Sequence, residues 1–167
     1  MPFTLKSIEI TNQFKESSSV LIVACNVCAR VSLAADNRQP CFNLTHSMTG
    51  KDFFISYFKD VQKSLIQKNI TSRVFNSFFP APMMCMWLKS QRDKLSKSVS
   101  GYDAIAVFGC ESAVATVKDS VKGFGGTIVQ MMTVEGISNL IPSIRFPFSI
   151  ELNPSATSII ALPENKA

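Results

Sequence analysis

VLIVACNVCAR, residues 20–30, begins as a strand and ends as a pair of cysteines. Val20 to Ala24 is an unbroken apolar run rich in β-branched residues, the pattern of a strand buried on both faces of a parallel sheet. Cys25 follows it at once, and Cys28 lies one helical turn on, in a segment (26–36) able to form a short helix. The question is whether a buried strand that ends in CxxC carries a metal, a redox pair or two small packing residues.

Outward from this stretch the strand-then-helix order recurs. The loop NRQPCFNLTHSMTG (37–50) leads to a helix expected over about 51–68, with Thr49 as its cap and Phe54, Phe58, Val61 and Leu65 on its core face. TSRVFNSFF (71–79) reads as a second strand, stopped by Pro80 and Pro82, and a helix is expected from about 82 to 98, closed by Ser100-Gly101. YDAIAVFG (102–109) is a third buried strand, and the following helix (111–122) has Val114, Val117 and Val121 on one side. Gly123, Gly125 and Gly126 end that helix, and TIVQMMT (127–133) is a fourth strand.

The two ends of the chain are less regular. Residues 1–19 read as a polar lead-in with a short element near Leu5 to Ile10. Residues 134–143 read as a loop with one helical turn. FPFSIEL (146–152) and TSIIAL (157–162) read as two more strands, either a hairpin across Asn153-Pro154 or an edge pair. The alternation predicts a single α/β domain over 1–167, a Rossmann-like three-layer domain with a mostly parallel sheet.

Composition narrows the class. Hydrophobic residues make up 46% and charged residues 17% of the 167, with 13 phenylalanines, which suits a large core or a surface covered by another subunit or a second copy. The net charge of +5 is scattered; its densest stretch, KSQRDKLSK (89–97), is broken by Asp93 and reads as a solvated helix face. No aromatic-interleaved basic patch suggests a nucleic acid partner. The opening MPFTLKSIEITNQF lacks a signal-peptide pattern, and no apolar run reaches the roughly 18 residues of a membrane span. The reading therefore expects a cytoplasmic chain, in which five cysteines are free, metal-binding or catalytic rather than disulfide-bonded.

Cys25, Cys85 and Cys110 each stand just past a predicted strand, where open α/β sheets bind ligands. Cys28 adds a fourth thiol. Thiolates bind zinc or iron, and a helix N-terminus favours the thiolate. The expectation is a metal site built from Cys25, Cys28, Cys85 and Cys110, holding zinc or, less favoured, an iron–sulfur cluster. A single cysteine after a strand is more often a small core residue; the coincidence of three strand ends carries the inference.

The strand, Cys25-x-x-Cys28, the intermediate Cys85 before a charged helix, and Tyr102-Asp103-Ala104-Ile105-Ala106-Val107 leading to Gly109-Cys110 and Val114-Ala115 together resemble the methylenetetrahydrofolate reductase C-terminal domain family. The resemblance spans roughly residues 18–140. It implies a small zinc-binding accessory subunit of an anaerobic methylenetetrahydrofolate reductase or methyltransferase system, docked on a larger protein subunit. Family members commonly carry another cysteine where this chain has Ser32, and many end in a cysteine-rich iron–sulfur segment. This chain has no cysteine after Cys110, so it suits one metal ion and not an additional cluster.

Other readings stand beside this one. A zinc with an open position would make the chain a thiol- or methyl-transfer enzyme. Cys25 and Cys28 alone would make it a CxxC redox protein. His46, the single histidine, shares the polar loop with Cys41, and both are weaker candidates. Glu111 and Arg30 are candidate supports of the site, and Glu135 could line the cleft. Asp103 reads as a turn residue, and Met83, Met84 and Met86 as gap-filling core or an adaptable surface.

Overall fold

The computed structural model describes residues 3–10, 13–14, 16–43, 52–77, 80–139, 141–146, 149–152 and 158–161. Its centre is a four-stranded parallel sheet made of β2 (Ser19–Ala24), β4 (Thr71–Phe75), β5 (Ala104–Phe108) and β6 (Thr127–Gln130), in the order β4-β2-β5-β6. These are the four expected strands; β2 begins one residue earlier than read, and the other three are shorter. β2 and β5 lie in the middle and are buried along almost their whole length, which is why their sequences are continuously apolar.

Helices cover the sheet. α1 (Cys28–Asp36) packs against α2 (Phe53–Ile66), and α3 (Lys89–Ser98) packs against α4 (Glu111–Ser120). Phe54, Phe58 and Leu65 of α2 are buried, as their spacing predicts. Phe58 meets Phe108 of β5 edge-on, with ring centroids 4.9 Å apart. Asp52 caps α2, accepting from the amides of Phe54 at 3.0 Å and Ile55 at 3.3 Å. Thr49, the expected cap, lies outside the described residues.

The chain reverses direction across the sheet between β2 and β5. β2 is followed by β4 on one side, and β5 and β6 follow on the other. The four C-terminal strand ends therefore open on one edge, at the switch point where α/β sheets bind ligands. At the opposite edge the Asp103 carboxylate clips two strands together. It accepts from the backbone and hydroxyl of both Ser18 and Ser19, at 2.6–3.0 Å, and these bonds hold its pKa below the usual carboxylate value. Gly126 lies beside it because an added Cβ would run into the Asp103 carbonyl.

Three sequence expectations change. The helix expected over 82–98 is a single 3₁₀ turn, Met84–Met86, followed by α3. Buried Gln91 is the reason: its side chain accepts from the amides of Ala81 and Leu88 and donates to Ser77 Oγ and the Ala81 carbonyl. That network holds Leu88 in an extended conformation, so the helix starts after it.

The loop expected over 134–143 is largely strand. Met131 is a corner: its amide bonds Val107 of the parallel sheet, and its carbonyl accepts from Ile8. The chain then leaves as β7 (Met132–Asn139), antiparallel to β1 (Phe3–Ser7) and β10 (Ser158–Ala161). β8 (Pro142–Arg145), β9 (Ser149–Leu152) and β3 (Phe42–Asn43) form a further antiparallel sheet. The two C-terminal strands therefore pair with different sheets and not with each other. The sheet content is correspondingly less parallel than expected, although the helix-flanked core is.

Candidate functional site

β2 and β5 run in register from Val20↔Ala104 to Ala24↔Phe108, and the Cys25 amide continues that ladder by donating to the Phe108 carbonyl at 2.9 Å. Cys25 thus stands beside Gly109, and Cys110 follows as the residue that caps α4. Gly109 has no room for a side chain. An added Cβ would lie 2.6 Å from Ala113 Cβ and 3.5 Å from Cys25 Cβ. Cys28 opens α1. Cys85 sits in the 3₁₀ turn, exposed, next to fully buried Met84.

The thiols differ in charge. The Cys25 thiol is pulled down from 9.0 to about 5, chiefly by a hydrogen bond from the Cys28 thiol. Burial opposes the shift, and bonds from the backbone at Met84, Val27 and Cys28 assist it. Cys25 is therefore a thiolate at neutral pH although it is only 3% exposed. The Cys28 thiol is driven strongly upward, first by the bond it gives to Cys25, then by burial and by the electrostatic influence of Cys25 and Cys110. Cys85 is raised by burial and by the same two cysteines. Cys25 and Cys110 thus influence both Cys28 and Cys85. Among the described residues, no three or more Cys, His, Asp or Glu side chains stand in metal-ligand geometry.

Other candidate residues fall elsewhere. Cys41 is buried and gives its thiol hydrogen to the Ile150 carbonyl at 3.2 Å, so it ties the α1–α2 connection to β9. Arg30 does not neutralise the thiolates. Its guanidinium donates to Asp52 at 2.8 Å and to the Cys41 carbonyl, and it lies over the Phe54 ring at 4.7 Å. Glu111 accepts from Gln130 at 3.2 Å on the same sheet edge as the thiols. Glu135 faces Lys6 across β1 and β7 at 3.8 Å. Met84 is core, whereas Met86 is 59% exposed. His46 lies outside the described residues.

Three supports of the site are absent from the sequence reading. Asn26, inside the CxxC, donates to Asn76 Oδ1 at 3.2 Å and so ties the first cysteine loop to the end of β4. Gln91 fixes the segment that carries Cys85. Ser32, at the position noted for its missing cysteine, accepts from the buried Leu5 amide at 2.9 Å and donates to the Phe3 carbonyl. β1 is thereby fastened to α1 above Cys28, whose thiol also meets the Phe3 backbone. The only sequence signal for these was adjacency to a cysteine or a polar residue on a helix face that turns out buried.

No family model, curated protein or solved structure matches this chain.

Proposed function

We propose that this chain is a metal-binding accessory subunit, taking one zinc ion through Cys25, Cys28, Cys85 and Cys110 and working on a larger protein partner. The observation that supports the reading is the placement of Cys25 beside Gly109 and Cys110 at the ends of β2 and β5, with Cys28 opening α1 and Cys85 in the 3₁₀ turn that follows β4. The donors suit the ion: all are sulfur, and the Cys25 thiol is shifted toward the thiolate by the Cys28 hydrogen bond, with backbone bonds assisting. Binding would require Cys28 and Cys85 to lose their protons and the exposed Cys85 turn to close on the other three, so affinity should rise with pH. The helix-flanked parallel sheet is compatible with a Rossmann-like three-layer domain, and the resemblance to the methylenetetrahydrofolate reductase C-terminal domain family supports the same reading, with the reductase or a methyltransferase as the partner class. The ion would supply structural closure of the cysteine loops and a soft Lewis-acid centre at the sheet edge.

Cobalt substitution tests this. Bound Co²⁺ should give intense sulfur-to-metal bands in the near ultraviolet, scaled to four thiolates in the wild type and lost together with the metal in Cys85→Ser and Cys110→Ser. Spectra typical of oxygen or nitrogen ligands alone would refute it.

A second reading is favoured by one observation, the opposite shifts of Cys25 and Cys28. A thiolate that accepts a hydrogen bond from its CxxC partner is the starting state for thiol–disulfide exchange. In that case glutathione disulfide would oxidise the pair to an intramolecular disulfide with release of two glutathione thiols. Cys85→Ser and Cys110→Ser would leave this reaction intact, whereas they would abolish the zinc site.

A further inference from the structure

β4 is an open edge of the parallel sheet. The Thr71 amide bonds the Ser18 carbonyl at 2.9 Å, which sets the alternation along the strand. Thr71, Arg73 and Phe75 turn their backbone groups toward β2, and Ser72 and Val74 turn theirs outward. The Ser72 carbonyl confirms the direction by accepting from the Gln62 side chain of α2 at 2.9 Å. The Val74 amide and carbonyl remain on the free edge.

The two sides of this edge differ in chemistry. On the α2 side a slot of 230 Å³ is lined mainly by apolar residues, Phe54, Ile55, Phe58 and Val74 among them, with Lys59 and Gln62 also on its wall. On the α3 side a groove of 520 Å³ is lined by Arg73, Lys94 and Lys97. No Asp or Glu lines either one, and among the described residues none of these three cations has an ion-pair partner. A strand added to an edge sends alternate side chains to opposite faces.

We infer that the open edge of β4 is a docking site for an extended segment of a protein partner whose apolar side chains alternate with carboxylates. The backbone of Val74 supplies the ladder bonds. The apolar residues enter the α2 slot, and the carboxylates meet Arg73, Lys94 and Lys97. Phosphate groups of a nucleic acid would satisfy the cations but leave the apolar slot and the directional backbone groups unused. The site shares no residue with the thiol cluster, so loss of one reading leaves the other standing.

The test is titration of the full chain into a fluorescent ten-residue peptide of alternating Glu and Val. A peptide of the same composition in two blocks, five Glu then five Val, is the control. The alternating peptide should bind saturably and at least about tenfold more tightly than the control. Amide exchange should slow at Val74 and not at Arg73. Val74→Pro removes the outward amide, a change edge strands tolerate, and should abolish binding. Arg73→Glu/Lys94→Glu/Lys97→Glu leaves the backbone intact and should weaken binding at least about tenfold. Equal binding of the two peptides, an unprotected Val74 amide, or full binding by the triple variant would overturn the proposal. So would displacement of the peptide by a single-stranded oligonucleotide, or a homodimer that protects Val74 without peptide.

Discussion

The Cys25 amide donates to the Phe108 carbonyl at 2.9 Å, one step past the last paired residues of β2 and β5. This bond fixes the first thiol on the end of the sheet and brings it beside Gly109 and Cys110. The cysteine cluster is therefore a product of strand register. Anything that alters the β2–β5 junction should alter the thiols.

Gly109→Ala is the sharpest change of that kind. Its Cβ would stand 2.6 Å from the rigid Ala113 Cβ, so either the Cys110 segment or the start of α4 must shift. A loss of about 1–3 kcal/mol is expected in urea unfolding, as for other overpacked sites. Gly125→Ala, with nothing within 4 Å of its added Cβ, should change stability by less than about 0.5 kcal/mol.

The thiol pair should make stability depend on pH. The folded Cys25 thiol ionises near 5 and the ordinary thiol at 9.0, so between these values the unfolded chain binds the extra proton. The stabilisation is complete above 9.0 and is lost as pH falls through 5. Cys28 works in the opposite sense above 9.0, where its unfolded thiol ionises and its folded one does not. Stability of the metal-free chain should rise from pH 5 toward 9 and then fall. Cys28→Ala removes the main cause of the Cys25 shift. Thiolate absorbance near 240 nm should then titrate well above 5.

Gln91→Met should release the Cys85 segment. It deletes bonds to Ala81, Leu88 and Ser77 within a fully buried position while keeping the volume. The expected loss is about 2–3 kcal/mol, since buried backbone groups are left without partners. Amide exchange should quicken at Ala81 and Leu88 before it does in β5.

Arg30 and Asp52 form a buried ion pair, with 13% and 4% of the side chains exposed. Arg30→Met should cost about 3 kcal/mol by leaving the carboxylate uncompensated. Asp52→Asn keeps an acceptor for the α2 amides, so it should be milder than Asp52→Ala by about 1 kcal/mol in thermal unfolding. Neither change should alter the Cys25 titration, because Arg30 faces Asp52 and Cys41.

The centre of the parallel core was legible because β2 and β5 are buried on both faces and their apolar runs have no other use. Phe54, Phe58 and Leu65 were legible through helical spacing. The antiparallel additions were not. β7 begins only two residues after β6 ends, and the switch of sheets at Met131 leaves no turn residue to mark it. The helix over 82–98 failed because Gln91, polar and read as solvated, is fully buried and captures the Leu88 amide. At the candidate site, the strand ends located Cys25 and Cys110, whereas Cys85 lies well past the end of β4, in the 3₁₀ turn Met84–Met86. The unequal protonation of Cys25 and Cys28 was not legible, because it arises from a side-chain bond and from burial that spacing does not encode.

The most direct measurement is the metal content of anaerobically purified chain, wild type beside Cys25→Ser and Cys110→Ser. The account predicts close to one zinc per wild-type chain and loss of the metal in both variants, since residues from separate junctions would hold one ion. Folded wild-type protein without metal, or a Cys110→Ser variant that keeps its full complement, would contradict it.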